Sequence, residues 1–257
     1  MSVFAVNGKE PIAAWIPSLD TAGNGTLELF DLVGSNDCDL VNMTTGDWVS
    51  DTDAGGVWAL DFDGANDHGE TKANFPKIAY SGGGSFCAWV KPDTIAGGTT
   101  FSATNPRYIF ASTPVSVNDA NALFRLLGGY IDFTFRNSAT ANFCTCRSDS
   151  AVISASSWQH VAAVHTGSAI VLYHQGSAVA STTTNYSNSA RTTASIAQIG
   201  GEPFGQRYFD GLIDDIRIFD QALDATDIAF LYKSGFGRGV TKKLDSRRRR
   251  YAGGYGL

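Results

Sequence analysis

The chain has 257 residues, of which 43% are hydrophobic and 12% aromatic, so it can bury a sizeable core and is too apolar to be disordered over most of its length. Charged residues make up 17%, below the roughly 25% usual in soluble domains. Glutamate is scarce, whereas glycine, serine, threonine, asparagine and aspartate are abundant. This composition excludes a helix-rich protein and is typical of many short strands joined by tight turns.

The net charge of −6 is divided unevenly along the chain. Residues 1–232 carry 11 Lys and Arg against 24 Asp and Glu, whereas residues 233–257 carry eight against one. An acidic body therefore precedes a basic segment. No run approaches the ~18 apolar residues of a membrane span. Residues 1–7 have neither a basic n-region nor a long apolar h-region, so we expect no secretory signal.

Short apolar runs bounded by turn residues predict a series of strands. The run at residues 26–33 alternates between apolar and polar side chains. The run at residues 85–92 is apolar on both faces, which predicts a central strand covered on both sides. Residues 123–127 and 130–136 flank Gly128-Gly129, which predicts a two-residue hairpin turn because glycine adopts positive φ without strain.

The second half of the chain continues in the same way. Strands are predicted at residues 157–166, 169–174, 178–181, 195–200 and 209–219. Ten or more strands at this spacing, with no long amphipathic helix between them, favour a sandwich over a parallel sheet with crossover helices. We therefore predict an all-β fold, a two-sheet antiparallel jelly-roll sandwich.

One short C-terminal helix is predicted within residues 223–235. Asp224 is its N-cap, Asp227 stands three residues later, and Gly235 ends it. Residues 236–257 form a basic Gly- and Arg-rich tail that cannot build a core and that we expect to be ordered only by a partner. The predicted organisation is thus one jelly roll over residues 1–235 and a docking tail over residues 236–257.

Five segments in order resemble the laminin-G-like jelly rolls of the concanavalin A-like lectin/glucanase superfamily. They are residues 56–68, 86–92, 158–162, 172–176 and 209–219, and the last, FDGLIDDIRIF, is the most specific. The resemblance covers roughly residues 10–235. It implies one domain of two antiparallel sheets, in agreement with the strand pattern, and it leaves function open because this fold carries lectins, glycosidases, adhesins and structural domains.

Enzymatic patterns are missing from the sequence. A glycosidase needs two carboxyl groups about 5–10 Å apart, and the Glu-Asp-Glu strand cluster of the jelly-roll glucanases is absent. Asp61 and Asp63 share a strand face, but aspartates in such positions more often close turns. No nucleophile elbow, zinc-protease motif or phosphate-binding loop occurs. We therefore predict that the protein is not an enzyme, and we retain a polysaccharide hydrolase with unrecognised carboxylates as an alternative.

The resemblance also implies a structural calcium ion. In several jelly rolls of this superfamily, an aspartate of the last strand motif, here Asp214, binds such an ion together with carbonyls of the early chain. Asp63 and Asp67 lie in the other Asp-rich motif and are candidate ligands, because a hard cation prefers carboxylate and carbonyl oxygens. The alternative is that Asp214 accepts turn N–H groups without any metal.

Aromatic side chains in predicted loops are candidates for stacking on sugars. Asn, Asp or Gly neighbours that can hold hydroxyl groups accompany each of them. The candidates are Trp48, Tyr186, Phe204 and Tyr208. In contrast, Trp58, Trp89 and Trp158 lie within strand motifs and are predicted to be in the core.

The basic tail is predicted to dock on an acidic neighbour, for example the body of a second copy. The docking residues are Arg247, Arg248, Arg249, Arg250, Tyr251, Tyr255 and Leu257. Nucleic acid is not expected, because the acidic body repels it. We predict a non-enzymatic interaction protein of a bacteriophage virion, a capsid decoration or tail-associated adhesin that binds glycans. The alternative is a free carbohydrate-binding lectin module at the cell surface or outside the cell.

Overall fold

A computed structural model describes residues 4–51, 57–75, 83–95, 107–113, 122–136, 143–184, 195–203 and 207–235. The strands are β1 (Ala13–Trp15), β2 (Glu28–Leu29), β3 (Cys38–Val41), β4 (Trp48–Asp51), β5 (Val57–Asp63), β6 (His68–Thr71), β7 (Gly84–Pro92), β8 (Arg107–Ser112), β9 (Ala122–Leu127), β10 (Tyr130–Arg136), β11 (Phe143–Arg147), β12 (Gln159–His165), β13 (Ile170–His174), β14 (Ser177–Thr182), β15 (Ala197–Ile199) and β16 (Asp210–Phe219). A 3-10 helix covers Thr45–Asp47, and helix α1 covers Ala225–Ser234.

The strands form two antiparallel sheets. The first has the order β14-β13-β12-β7-β16-β5-β4, with β1 also paired to β16, and the second has the order β11-β10-β9-β8-β15-β6-β3-β2. The predicted all-β sandwich with one short helix is confirmed. None of the helices in the described part of the chain is long and apolar enough to cross a membrane.

The main core lies between the inner faces of the two sheets. Aromatic rings dominate it, and the rings of Phe86 and Phe133, from opposite sheets, are 4.9 Å apart. β7 is buried over both faces, as predicted for residues 85–92. The cause is a second cluster on its outer face, where Ile228 and Leu231 of α1 pack with Cys87.

Local signals in the sequence account for the helix and for the hairpin turn. The Asp224 carboxylate accepts the N–H groups of Thr226 and Asp227 at 2.8 and 2.9 Å, and the Gly235 N–H donates to Leu231 at the other end. Gly128 and Gly129 join β9 to β10 with φ of 57° and 83°. Both predictions are confirmed.

The predicted strand at residues 26–33 is shorter in the structure. Only Glu28–Leu29 pairs in a sheet, with β3. Carboxylates provide the hydrogen bonds around it: Asp20 accepts the Phe30 N–H at 2.8 Å, and Asp31 accepts the Ala14 N–H at 2.9 Å. Aspartate side chains that bond to the backbone compete with strand pairing, and hydrophobic alternation does not reveal this.

Candidate functional site

The predicted glycan-stacking residues have different outcomes. Tyr186 and Phe204 lie outside the described residues, as do the predicted docking residues of the tail, Arg247 to Leu257. The prediction that Trp48 lies in an exposed loop is wrong, because it begins β4, is 4% exposed and donates its indole N–H to the Thr26 carbonyl at 2.8 Å. Conversely, Trp58 was expected in the core but is 39% exposed, because it stands near the start of β5, beside edge strand β4.

Of the two predicted stacking residues that the structure describes, Tyr208 is the one that lies among polar side chains of the second sheet. It is half-buried in the segment between β15 and β16, and its ring centroid is 5.7 Å from that of His68. Arg107 donates to the Tyr208 carbonyl at 3.1 Å and also pairs with Asp210 at 3.1 Å. These contacts hold the Tyr208 backbone against the second sheet.

Gln198 places a polar group beneath this segment, on the outer face of the second sheet. Its neighbours Ala197 and Ile199 point into the core, so Gln198 points outward. Its Nε2 donates to Glu70 on the adjacent strand β6 at 2.9 Å. Its Oε1 is buried and has no hydrogen-bond partner, although the whole residue is only 5% exposed. A buried acceptor without a partner marks a place that a water molecule or a ligand completes.

Gly201 lets three of these side chains converge. A Cβ atom at this position would lie 2.9 Å from the His68 Cβ and 3.2 Å from both Gln198 Oε1 and Tyr208 Cδ1. Any larger residue would push the three apart. We call His68, Gln198, Gly201, Glu202 and Tyr208 the Tyr208 site.

Glu202 adds a carboxylate to the Tyr208 site. Its side chain is 1% exposed and lies 3.8 Å from the guanidinium of Arg207, which is 30% exposed. Burial and the Glu202 carboxylate together raise the pKa of Tyr208, because both disfavour the phenolate. The phenol therefore stays neutral and can act as a hydrogen-bonding group and an apolar ring.

Sequence reasoning missed the other members of the site. His68 begins β6 and Gln198 lies in β15, and both are neighbours only because β15 pairs with β6. The one available signal was the Gly200-Gly201 pair at the end of a predicted strand, since consecutive glycines permit close approach of other groups.

The same face of the second sheet carries a buried ionic network. Tyr108, Arg125, Asp132 and Arg147 are successive cross-strand neighbours on β8 to β11. Asp132 is fully buried and pairs with Arg125 at 2.7 Å and with Arg147 at 3.1 Å, while Arg125 also donates to the Tyr108 hydroxyl at 3.1 Å. This network ties strands β8 to β11 together on the outer face of the second sheet.

The predicted calcium ligands are not brought together. Asp63 Oδ1 accepts three backbone N–H groups within its own turn, and Asp67 accepts the Asp63 N–H at 3.2 Å. Asp63 pairs with Asp210, so Asp214 lies four residues, or roughly 13 Å, further along β16. The two sets of carboxylates therefore do not share one ion, and the described residues contain no group of three His, Cys, Asp or Glu side chains that suits a metal.

Asp214 nevertheless has an unusual environment. It is fully buried, accepts the Ser18 N–H at 3.1 Å through one oxygen, and leaves the other without a partner. Burial and the neighbouring Asp215 raise its pKa to about 7. Calcium takes six to eight oxygen ligands. Asp214 alone would supply too few of them, so calcium stays a prediction and we derive no function from it.

The family of the chain follows from a comparison with known proteins. A sequence model of the concanavalin A-like lectin/glucanases superfamily, of laminin-G type, matches residues 62–229, which is well over half of the chain. The chain belongs to this superfamily. The resemblance noted in the five sequence motifs is thereby confirmed, and the match includes every residue of the Tyr208 site. No curated protein matches the chain significantly.

Solved structures with this fold include binding domains of bacterial toxins. The botulinum neurotoxin serotype D binding domain has a TM-score of 0.63 and 14% identity. The match covers 91% of the chain described here and 53% of the toxin domain's chain. The binding domain of Paraclostridial Mosquitocidal Protein 1 has a TM-score of 0.64 and 12% identity, with 87% and 52% covered. This chain thus spans about half of each of them, and the likeness at such low identity concerns the fold.

Proposed function

We propose that this chain is a non-enzymatic interaction module that binds carbohydrate at the Tyr208 site. The observation that carries the proposal is the unpartnered, buried Gln198 Oε1 beside the half-buried ring of Tyr208. Sugars bind proteins by placing C–H faces on aromatic rings and hydroxyl groups on fixed polar atoms. In the Tyr208 site, the Tyr208 ring is the aromatic surface and Gln198 Oε1 is the fixed polar atom, and both lie next to Gly201.

The arginine ion pairs of three aspartates support binding without hydrolysis. Hydrolysis of a glycosidic bond requires one carboxyl group that gives a proton and another that acts as base or nucleophile. Asp132, Asp210 and Asp215 are each held in ion pairs with arginine. The oxygen atoms of carboxylates engaged in this way are already occupied by the guanidinium groups, so they are less available to a glycosidic bond.

Related structures also support a binding role. One is the botulinum neurotoxin serotype D ligand binding domain in complex with N-acetylneuraminic acid, at 15% identity and a TM-score of 0.61. That ligand belongs to that protein. It supports the proposal only as an example of a sugar bound by a domain that shares this fold.

We also propose that the module is part of a larger particle, a bacteriophage virion in which it decorates the capsid or forms a tail-associated adhesin. Support comes from the division between an acidic body and the basic residues 236–257. Deletion of residues 236–257 should then abolish incorporation into particles. If incorporation is unchanged while glycan binding persists, the alternative of a free lectin module is favoured.

The carbohydrate proposal is tested by screening the purified protein on an oligosaccharide array and then titrating variants with the best glycan. Tyr208→Ala and Gly201→Ala should each weaken binding by about tenfold or more. Phe230→Ala removes a 49% exposed ring on α1, and Gly46→Ala adds a Cβ that meets one atom, the Thr44 hydroxyl oxygen at 3.4 Å. These two controls should bind normally.

Three results would contradict the proposal. Normal binding by both site variants would place the sugar elsewhere. Absence of binding to any glycan would remove the proposed function. Release of reducing ends from a polysaccharide would favour the hydrolase alternative instead.

A further inference from the structure

We infer that the Tyr208 site selects neutral, hydroxyl-rich sugars and discriminates against sugars that carry a carboxylate. This inference rests on the proposed function and concerns the chemistry of the groups that line the site. Three independent features of the described residues lead to it.

The first feature is the fixed orientation of the Gln198 amide. An ionised carboxylate only accepts hydrogen bonds, so the contact with Glu70 at 2.9 Å identifies the donating atom of Gln198 as Nε2. The other atom of the amide, Oε1, therefore faces the Tyr208 site as an acceptor. A ligand group that satisfies it must donate a hydrogen, as a hydroxyl does.

The second feature is the tautomer of His68. Its Nδ1 lies 2.9 Å from the carbonyl of Asn66, which can only accept. In the neutral imidazole, Nδ1 therefore carries the hydrogen and Nε2 is left as an acceptor. His68 then carries, like Gln198, an acceptor that a hydroxyl group can satisfy.

The third feature is the charge around the site. Glu202 and Arg207 face each other at 3.8 Å and largely compensate one another. Glu70 adds a further carboxylate on the same face, next to Gln198. The raised pKa of Tyr208, caused by burial and by Glu202, reflects the same unfavourable environment for an anion.

These features together define the ligand. Two fixed acceptors and the excess negative charge favour hydroxyl groups, which donate. A carboxylate placed here would bring acceptors against acceptors and a negative charge near Glu70, and such contacts cost binding energy. Glu70 is therefore a specificity-determining residue that acts through Gln198.

The experiment compares matched pairs of oligosaccharides that differ only in a terminal N-acetylneuraminic or glucuronic acid, for example lactose and sialyllactose. The wild-type protein should bind the neutral member at least about tenfold more tightly. Glu70→Gln removes the charge and frees the Gln198 amide to turn, so it should narrow this preference several-fold. Glu28→Gln, at a partly exposed glutamate of β2, is the matched control and should keep the preference.

Each outcome has one meaning. If the acidic member binds as tightly as the neutral one or more tightly, the inference is wrong and the proposed function stands. If Glu70→Gln behaves like Glu28→Gln, Glu70 does not determine specificity. If no member of any pair binds, the proposed function itself fails, and the inference fails with it.

Discussion

Lys9 and Asp227 are 218 residues apart in the chain and form an ion pair that ties the N-terminal turn to the first turn of helix α1. Asn7 donates to the other carboxylate oxygen of Asp227 at 2.7 Å. Asp227 is only 1% exposed and also accepts the N–H of its N-cap residue, Asp224, at 3.0 Å. The helix that covers the first sheet is therefore held in place by the beginning of the chain.

Loss of this pair should destabilise the protein. Lys9→Met keeps the length of the side chain but leaves a buried carboxylate with less compensation, so we expect the free energy of unfolding to fall by about 1–3 kcal/mol. Lys72→Met is the matched control, because Lys72 pairs with Glu28 and Asp39 at the surface and should contribute less than about 1 kcal/mol. Urea unfolding measures both. Equal losses would show that Asp227 needs no counter-charge.

Two buried histidines should make stability depend on pH. Burial lowers the pKa of His160 and of His165 to about 4 in the folded protein. Between pH 6.5 and 4 the unfolded chain therefore binds more protons, so stability is lost as the pH falls through this range, by at most about 3 kcal/mol for His160. The urea midpoint of the wild-type protein should fall between pH 7 and pH 4.5. The midpoint of His160→Phe should fall by less over the same range. An equal fall of the midpoint in the variant and the wild type would mean that His160 does not contribute to the pH dependence of stability.

The Asp132 network predicts a large effect of a small change. Asp132→Asn removes the carboxylate that compensates Arg125 and Arg147 while keeping its shape. Removal of one partner from a buried ionic network costs about 3–5 kcal/mol. Asp149→Asn changes an exposed aspartate and should be nearly neutral. A loss below about 1 kcal/mol for Asp132→Asn, measured by chemical denaturation, would contradict this account.

Two glycines with similar backbones should respond differently to alanine. Gly200 and Gly25 have φ of 74° and 77°, so each substitution adds about 1 kcal/mol of backbone strain. A Cβ at Gly200 would also lie 2.4 Å from the ring of Phe62, whereas a Cβ at Gly25 meets nothing within 4 Å. Gly200→Ala should therefore cost several-fold more stability than Gly25→Ala. Equal shifts in melting temperature would show that the Phe62 ring can move aside.

Some features followed from the sequence because they depend on neighbouring residues. The N-cap Asp224 and the terminal Gly235 bound the helix through contacts within one turn. Gly128-Gly129 set the register of a hairpin in the same local way. Trp48 and Trp58 show the limit, since each lies in a strand pair and its exposure depends on where that pair sits in the sandwich.

By itself, the amino-acid sequence determined the all-β class, the superfamily motifs, the single capped helix and the choice of Tyr208 as a candidate. Only the tertiary structure decided what surrounds Tyr208 and that Asp63 and Asp214 are separate. Local propensity and periodicity act over a few residues, so they can be recognised in the sequence. Antiparallel pairing in an eight-stranded sheet places the strand of His68 beside the strand of Gln198, and that neighbourhood arises from global packing of the sandwich.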